Sequence, residues 1–178
     1  MLASELAELV EQLSRMGRGV VTLLRPGAQA AEVEAAFGRP VPDSVADWFS
    51  WCNGVTARAG QIQDDVNIIP GYNLVSVNEA VAMIPTYSGD DVLGFNWIPL
   101  LRSGGGDIYA AVWDSARVAR VAGVIVGEPT EIEFSSIEQM VSVFNECFRN
   151  GAFYIDPQGM FSMDPELYDE TYARILGV

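Results

Sequence analysis

The sequence predicts an α+β fold, a mostly antiparallel twisted sheet with a central hairpin, packed by helices. Three observations carry that prediction. Residues 97–114 read WIPLLRSGGGDIYAAVWD, two apolar strand-like runs around a glycine turn. Stripes of apolar residues at helical spacing precede and follow this stretch, as in Leu2, Leu6, Leu9, Leu13 and again in Ile137, Met140, Val141, Phe144. The chain has 178 residues, 49% of them apolar, enough for one self-standing core. One domain over 1–178 is therefore expected.

In the hairpin, Trp97, Ile98, Leu100 and Leu101 form the first run. Pro99 interrupts it and, lacking a ladder donor, argues for an edge, a strand start or a bulge. Gly104, Gly105 and Gly106 supply the turn. A phosphate-cradling loop is excluded by context, because no helix opens after the glycines and no Gly-Lys-Ser/Thr follows. In the second run, Ile108, Ala110 and Val112 share one face, and Tyr109, Ala111 and Trp113 the other. Both faces are largely apolar, so this strand is expected to be central and covered on both sides. Asp107 and Asp114 bracket it, each able to cap a turn through backbone N–H groups.

Taken in order, the first helix carries the leucine stripe and ends at Gly17 and Gly19. Val20 to Leu24 is an apolar run, strand or helix tail. Ala28 to Phe37 is alanine- and glutamate-rich and helical by propensity, with Gly38 as terminator. Pro42 suits the first position of the next helix, whose buried stripe is Val45, Trp48, Phe49 and Cys52; Asn53-Gly54 closes it. Thr56 to Asp65 reads as a polar loop, Val66 to Ile69 as a short strand, and Pro70-Gly71 as a turn. Ser76 with Glu79 forms a capping box for a helix to about Ile84, which Pro85 stops.

Tyr87 to Gly94 is an acidic loop. Beyond the hairpin, Val121 to Val126 is a strand, and Ile132 with Phe134 a shorter one. Ser136–Gln139, or Ser135–Glu138 in the alternative register, caps the main helix, which Asn150-Gly151 ends. Ala152 to Ile155 and Met160-Phe161 suggest a small hairpin. Asp164 and Pro165 open a last helix to about Leu176.

The formal net charge is −14, from 24 acidic residues against ten basic ones, and every basic residue is arginine. Such a charge repels phosphate backbones and anionic membranes, so neither nucleic acid nor a membrane is an expected partner. A basic protein partner fits the sign. With no histidine, the usual general base and commonest metal ligand are missing. Cys52 and Cys147 lie in apolar helical patterns and read as buried free thiols, which suits a reducing, cytoplasmic setting. The sequence shows no signal-peptide pattern and no apolar run of membrane-spanning length.

A serine triad lacks its histidine, a zinc site lacks ligands, and a dinucleotide fold lacks its glycine fingerprint. No metal, cofactor or catalytic residue is expected. The surviving catalytic idea is a carboxylate pair, Asp107 with Asp114 or Asp156, which needs carboxyls about 5 to 9.5 Å apart. Binding is the stronger reading. Tyr72, Tyr87, Phe95, Trp113 and Tyr154 are candidate anchors near loops or strand ends. Asp64-Asp65 and Asp90-Asp91, with Asp107 and Asp114, are candidate acidic contacts that would steer a basic partner.

The order of these motifs resembles the SUKH superfamily. Pro42 followed by a helix with Trp48, Phe49, Trp51 and terminal Asn53-Gly54 is similar to its opening. Leu74-Val75-Ser76 with Glu79-Ala80 is similar to its next segment. Trp97-Ile98-Pro99-Leu100 with Gly106-Asp107 and Trp113-Asp114 resembles its central hairpin, and Ser136 to Phe148 its closing helix. The resemblance covers Val33 to Gly151, about two thirds of the chain.

It implies a SUKH-like fold and a non-enzymatic role. Bacterial members are largely immunity proteins that neutralise polymorphic toxins, many of them nucleases, while a fungal relative regulates cell-wall synthesis. The family-like positions Trp48, Asn53, Gly54, Trp97, Pro99 and Gly106 read as structural. Toxin contacts vary between members, so no contact set transfers. The extension 152–178 is a candidate interaction or homodimer element. An immunity protein is thus the leading expectation, a scaffold or regulatory protein of the same fold the second, and a carboxylate hydrolase the third.

Overall fold

A computed structural model describes every residue of the chain except Ala116. Among the described residues the architecture is α+β. A five-stranded antiparallel sheet is formed by β1 (Tyr72–Leu74), β2 (Trp97–Ser103), β3 (Ile108–Val112), β4 (Arg120–Val124) and β5 (Glu131–Phe134), in that spatial order. A small antiparallel hairpin, β6 (Phe153–Ile155) and β7 (Phe161–Met163), stands apart from it. The helices are α1 (Leu2–Arg15), α2 (Ala30–Phe37), α3 (Asp43–Trp51), α4 (Gln63–Val66), α5 (Val77–Met83), α6 (Ile137–Asn150) and α7 (Pro165–Leu176).

The hairpin is where the sequence puts it, and β3 is the middle strand. Its alternation separates two cores. Ile108, Ala110 and Val112 join Leu93, Trp97 and Ala122 in a small cluster on one face. Ala111 and Trp113, with Tyr109 packed beside them, join the main core on the other. That main core is built where the leucine stripe of α1 and the apolar face of α6 meet, with Asn145 Nδ2 donating to the Glu5 carbonyl at 2.9 Å. Pro99 is accommodated by a register shift between Pro99 and Leu101, so a strand with neighbours on both sides tolerates its missing donor.

Several boundaries differ from the sequence reading. Val66 to Ile69 is not a strand: Gln63–Val66 is a helical turn, capped where Ile62 N–H donates to the Asp65 carboxylate. The strand lies after the Pro70-Gly71 turn, at Tyr72–Leu74, because those residues reach the β2 ladder. Only an isolated bridge joins Ile69 to Tyr72. Val20 to Leu24 resolves as a 3-10 segment, Gly19–Leu23. Pro42 is the N-cap of α3 and not its first turn. Pro85 ends α5 but continues into a 3-10 turn over Ile84–Tyr87.

The α6 cap follows the Ser136–Gln139 register, and Ser135 bonds to Gln139 instead of Glu138. Ser136 Oγ accepts from Gln139 N–H, while the Gln139 side chain accepts from Ser135 N–H. Asn53 Oδ1 accepts from Val77 N–H at 2.8 Å, so the end of α3 caps the start of α5. Gly54 adopts φ +80° and a Cβ there would lie 2.9 Å from Ser76 N, which leaves glycine as the residue that fits.

Residues 152–178 turn one face inward. Asp164 caps α7 through Glu166 and Leu167 N–H, Phe153 stacks on Tyr168, and Tyr172 donates to the Glu133 carbonyl at 2.8 Å. Among the described residues no helix is long and apolar enough to cross a membrane. Cys52 and Cys147 are buried and unpaired, and burial pushes their thiols up to about 11 and about 12.

Candidate binding surface

The sheet has two unlike ends, and the candidate residues divide between them. The turn end gathers the β2–β3 and β4–β5 connections. Asp107 is its centre. Its Oδ1 accepts from Val126 N–H at 2.9 Å, and its Oδ2 accepts from Ser103 Oγ at 3.1 Å. The carboxylate thereby ties the two connections together, which fixes it at the surface without an arginine.

Tyr87 crosses the small face of the sheet, its ring edge-on to Trp97 and its hydroxyl donating to the Gly106 carbonyl at 2.7 Å. Tyr72 enters from β1. Burial raises both hydroxyls, Tyr72 to about 12, and the Asp107 charge adds to each. Asp90 also reaches the β4–β5 connection. It accepts from Thr130 Oγ1 at 2.5 Å and from the Val92 and Leu93 N–H groups. Burial raises its pKa, but these donors outweigh it and hold the carboxyl below its ordinary value. Asp91 beside it is exposed. Ile125 and Val126, the latter 65% exposed, add apolar surface among these acids.

At the far end, Trp97 and Trp113 are buried, and Trp113 N–H donates to the Asn96 carbonyl. Trp113 is therefore a core residue and not an accessible anchor. Asp114 is exposed beyond it. Phe95 is 81% exposed, with the Arg39 guanidinium 4.8 Å over its ring and Arg39 Nη1 donating to its carbonyl at 2.7 Å. Of the sequence-derived anchors, Phe95 presents the largest exposed aromatic surface.

Asp64 departs from the solvated acidic loop expected of it. Its side chain is 10% exposed and pairs with Arg18 at 3.1 Å, itself 8% exposed. It also accepts from Phe161 N–H, and Arg18 lies 4.5 Å over the Phe161 ring. Asp64 therefore fastens the C-terminal hairpin to the body of the chain and is not presented to a partner. Asp65 is half-buried at the cap of α4. Trp48 is fully buried.

The carboxylate pairs proposed for catalysis do not converge in the case of Asp107 and Asp114. They bracket β3, so strand rise puts them roughly 20 Å apart, beyond the about 5 to 9.5 Å of a glycosidase pair. Asp156 closes the β6–β7 turn, accepting from Gln158 and Met160 N–H. Among the described residues no group of three or more acidic, cysteine or histidine side chains is disposed to hold a metal.

The sequence reading missed Glu133. It projects toward Tyr72, Tyr109, Tyr168 and Tyr172, all of whose hydroxyls its charge raises. The signal available was Gly123 in an otherwise apolar strand, since a glycine there marks a close approach. A Cβ at that position would lie 1.7 Å from Glu133 Oε1. Compared with known proteins, the chain matches no family model and no curated sequence.

Proposed function

We infer that this chain is a non-catalytic protein-binding domain whose turn end receives a basic protein partner. We further propose that it is an immunity protein neutralising a cognate bacterial toxin, a basic nuclease being the type that best complements its charge. The supporting observation is the gathering of Asp107, Asp90, Tyr72 and Tyr87 at one end of the sheet with exposed Ile125 and Val126. Acids surrounding apolar surface are the materials of a steered interface: charge raises the encounter rate, and apolar area holds the complex.

The arginines strengthen this reading. Arg15, Arg18, Arg102, Arg117, Arg149 and Arg174 each pair with a carboxylate of the chain itself. The surplus of acid is left to face outward. A protein that handles nucleic acid neutralises phosphates with Lys and Arg, so its active surface carries the opposite charge. The resemblance of the Pro42-to-Gly54 and Trp97-to-Asp114 segments to SUKH immunity proteins points the same way.

The test is co-expression with the toxin domains encoded beside this gene. Restored growth, co-purification, and an association rate that falls steeply with added salt are the expected results. Absence of both binding and rescue across those domains contradicts the immunity reading. Stable host-protein partners, with no toxin gene adjacent, favour a scaffold role for the same surface.

A further inference from the structure

Two clefts meet at Ile125. The first, of about 200 Å³, is lined by Tyr72 and Tyr109 of the sheet, Phe144 of α6, Phe153 and Met163 of the C-terminal hairpin, and Tyr168 of α7. Its rings are linked in series, with centroid separations of 5.0 Å for Tyr72–Tyr109, 6.0 Å for Tyr109–Phe144 and 6.2 Å for Phe144–Phe153. The second, of about 230 Å³, is lined by Glu128, Glu131 and Glu133 beside Gly123 and Pro129.

Glu133 joins them. Tyr109, from the wall of the first cleft, is its hydrogen-bond neighbour. Burial raises the Glu133 carboxyl, the Tyr109 bond opposes that rise, and Glu131 adds to it. Among the described residues no arginine forms an ion pair with Glu133, although Arg102 and Arg149 pair with other glutamates. A half-buried carboxylate beside aromatic rings favours a cation on two grounds. The π faces carry negative charge density, and a positive partner relieves the electrostatic cost of burial.

We propose that the joined clefts bind an organic cation of side-chain size, its apolar stem against Tyr72, Tyr109 and Met163 and its guanidinium at Glu133 and Glu131. The aromatic cleft alone has room for the apolar stem of one side chain. Its volume lies below the roughly 300–1,000 Å³ of pockets that enclose drug-sized ligands. The occupant is an arginine of the basic protein partner, and charge complementarity is the reason for that choice. The donor rests on the function proposed above, whereas the cation chemistry rests on Glu133 and its tyrosines alone.

The test is an NMR titration of the full chain with N-acetyl-arginine amide and with its neutral counterpart, N-acetyl-citrulline amide. The arginine probe shifts the Met163 and Ile125 methyl resonances saturably, and the citrulline probe binds about tenfold more weakly or worse. E133Q lowers affinity for the arginine probe by about tenfold. G123A, which drives the carboxylate from its seat while keeping its charge, weakens binding even if E133Q does not fold. Equal binding of both probes, wild-type affinity in G123A, or no saturable shift overturns the proposal. If the arginine probe binds but no basic protein does, the cleft stands and the partner reading falls. If a basic protein binds without moving the cleft resonances, the cleft proposal falls alone.

Discussion

At the turn end of the sheet, Asp107 and Asp90 are held near the surface by backbone N–H and hydroxyl donors. At the far end, Trp97 and Trp113 are buried and Asn96 continues the ladder. Both ends carry aromatics beside acids in the sequence, yet their physics differs. A carboxylate satisfied by backbone donors keeps its charge and still faces solvent. A tryptophan at a strand end in an apolar alternation is drawn into the core. The lesson is that an aromatic beside an aspartate marks a contact surface only when the aromatic is not needed to seal a layer. Phe95, outside the ladder and supported by Arg39, seals no layer and stays exposed.

The largest effects are expected where burial is deepest. Trp113→Ala at the far end removes a side chain that is 6% exposed, and should destabilise the fold by about 3–5 kcal/mol in denaturant unfolding. Asp64→Ala leaves Arg18 buried without its partner. It should cost a similar amount, about 3–5 kcal/mol, and loosen the C-terminal hairpin in hydrogen exchange. If either variant unfolds at the wild-type midpoint, the assignment of that residue to structure is wrong.

A smaller effect sharpens the contrast. Asn53→Ala removes the acceptor of Val77 N–H at the start of α5, where Ser76 remains the N-cap, and should cost about 1 kcal/mol by the same measurement. Asp91→Asn, on an exposed loop residue, should stay within about 0.5 kcal/mol of wild type. A large loss there would mean that the acidic loop is structural.

Two carboxylates should give opposite pH signatures. Asp90 is held below its ordinary pKa, so its contribution to stability is present above the unfolded value, about 3.9, and is lost as pH falls through the folded value. Glu133 is held above its ordinary pKa. Its folded carboxyl retains a proton that the unfolded one releases, so stability is lost as pH rises from about 4.3 through the folded value. D90N should therefore flatten the acid limb of the stability profile, and E133Q should gain on wild type between acid and neutral pH. Unfolding curves collected from about pH 3 upward decide both signs.

The fold class was legible because periodicity is a direct imprint of burial. The alternation from Ile108 to Trp113 assigns each residue to the face it occupies, and the stripe from Ile137 to Phe148 assigns α6 to the core. Local caps were legible too, since Ser76 and Glu79 act within one turn. The site was less so. Asp64 is indistinguishable from a loop acid until Arg18 and Phe161, remote in sequence, close over it. Glu133 acquires its raised pKa from burial, which only the packing of elements remote in sequence brings about. Long-range electrostatics leaves no periodic trace, which is why the surroundings of Asp64 and Glu133 needed the structure.

The central claim is that the turn end, and not the far end, meets the basic partner. Association rates with the cognate partner, measured at low and physiological salt, test it most directly when equal charge changes are made at each end. E131Q should slow association at low salt and lose that difference as salt rises, while D114N should leave the rate at wild type. A rate unchanged in the first variant and lowered in the second would place the partner at the far end and contradict the account.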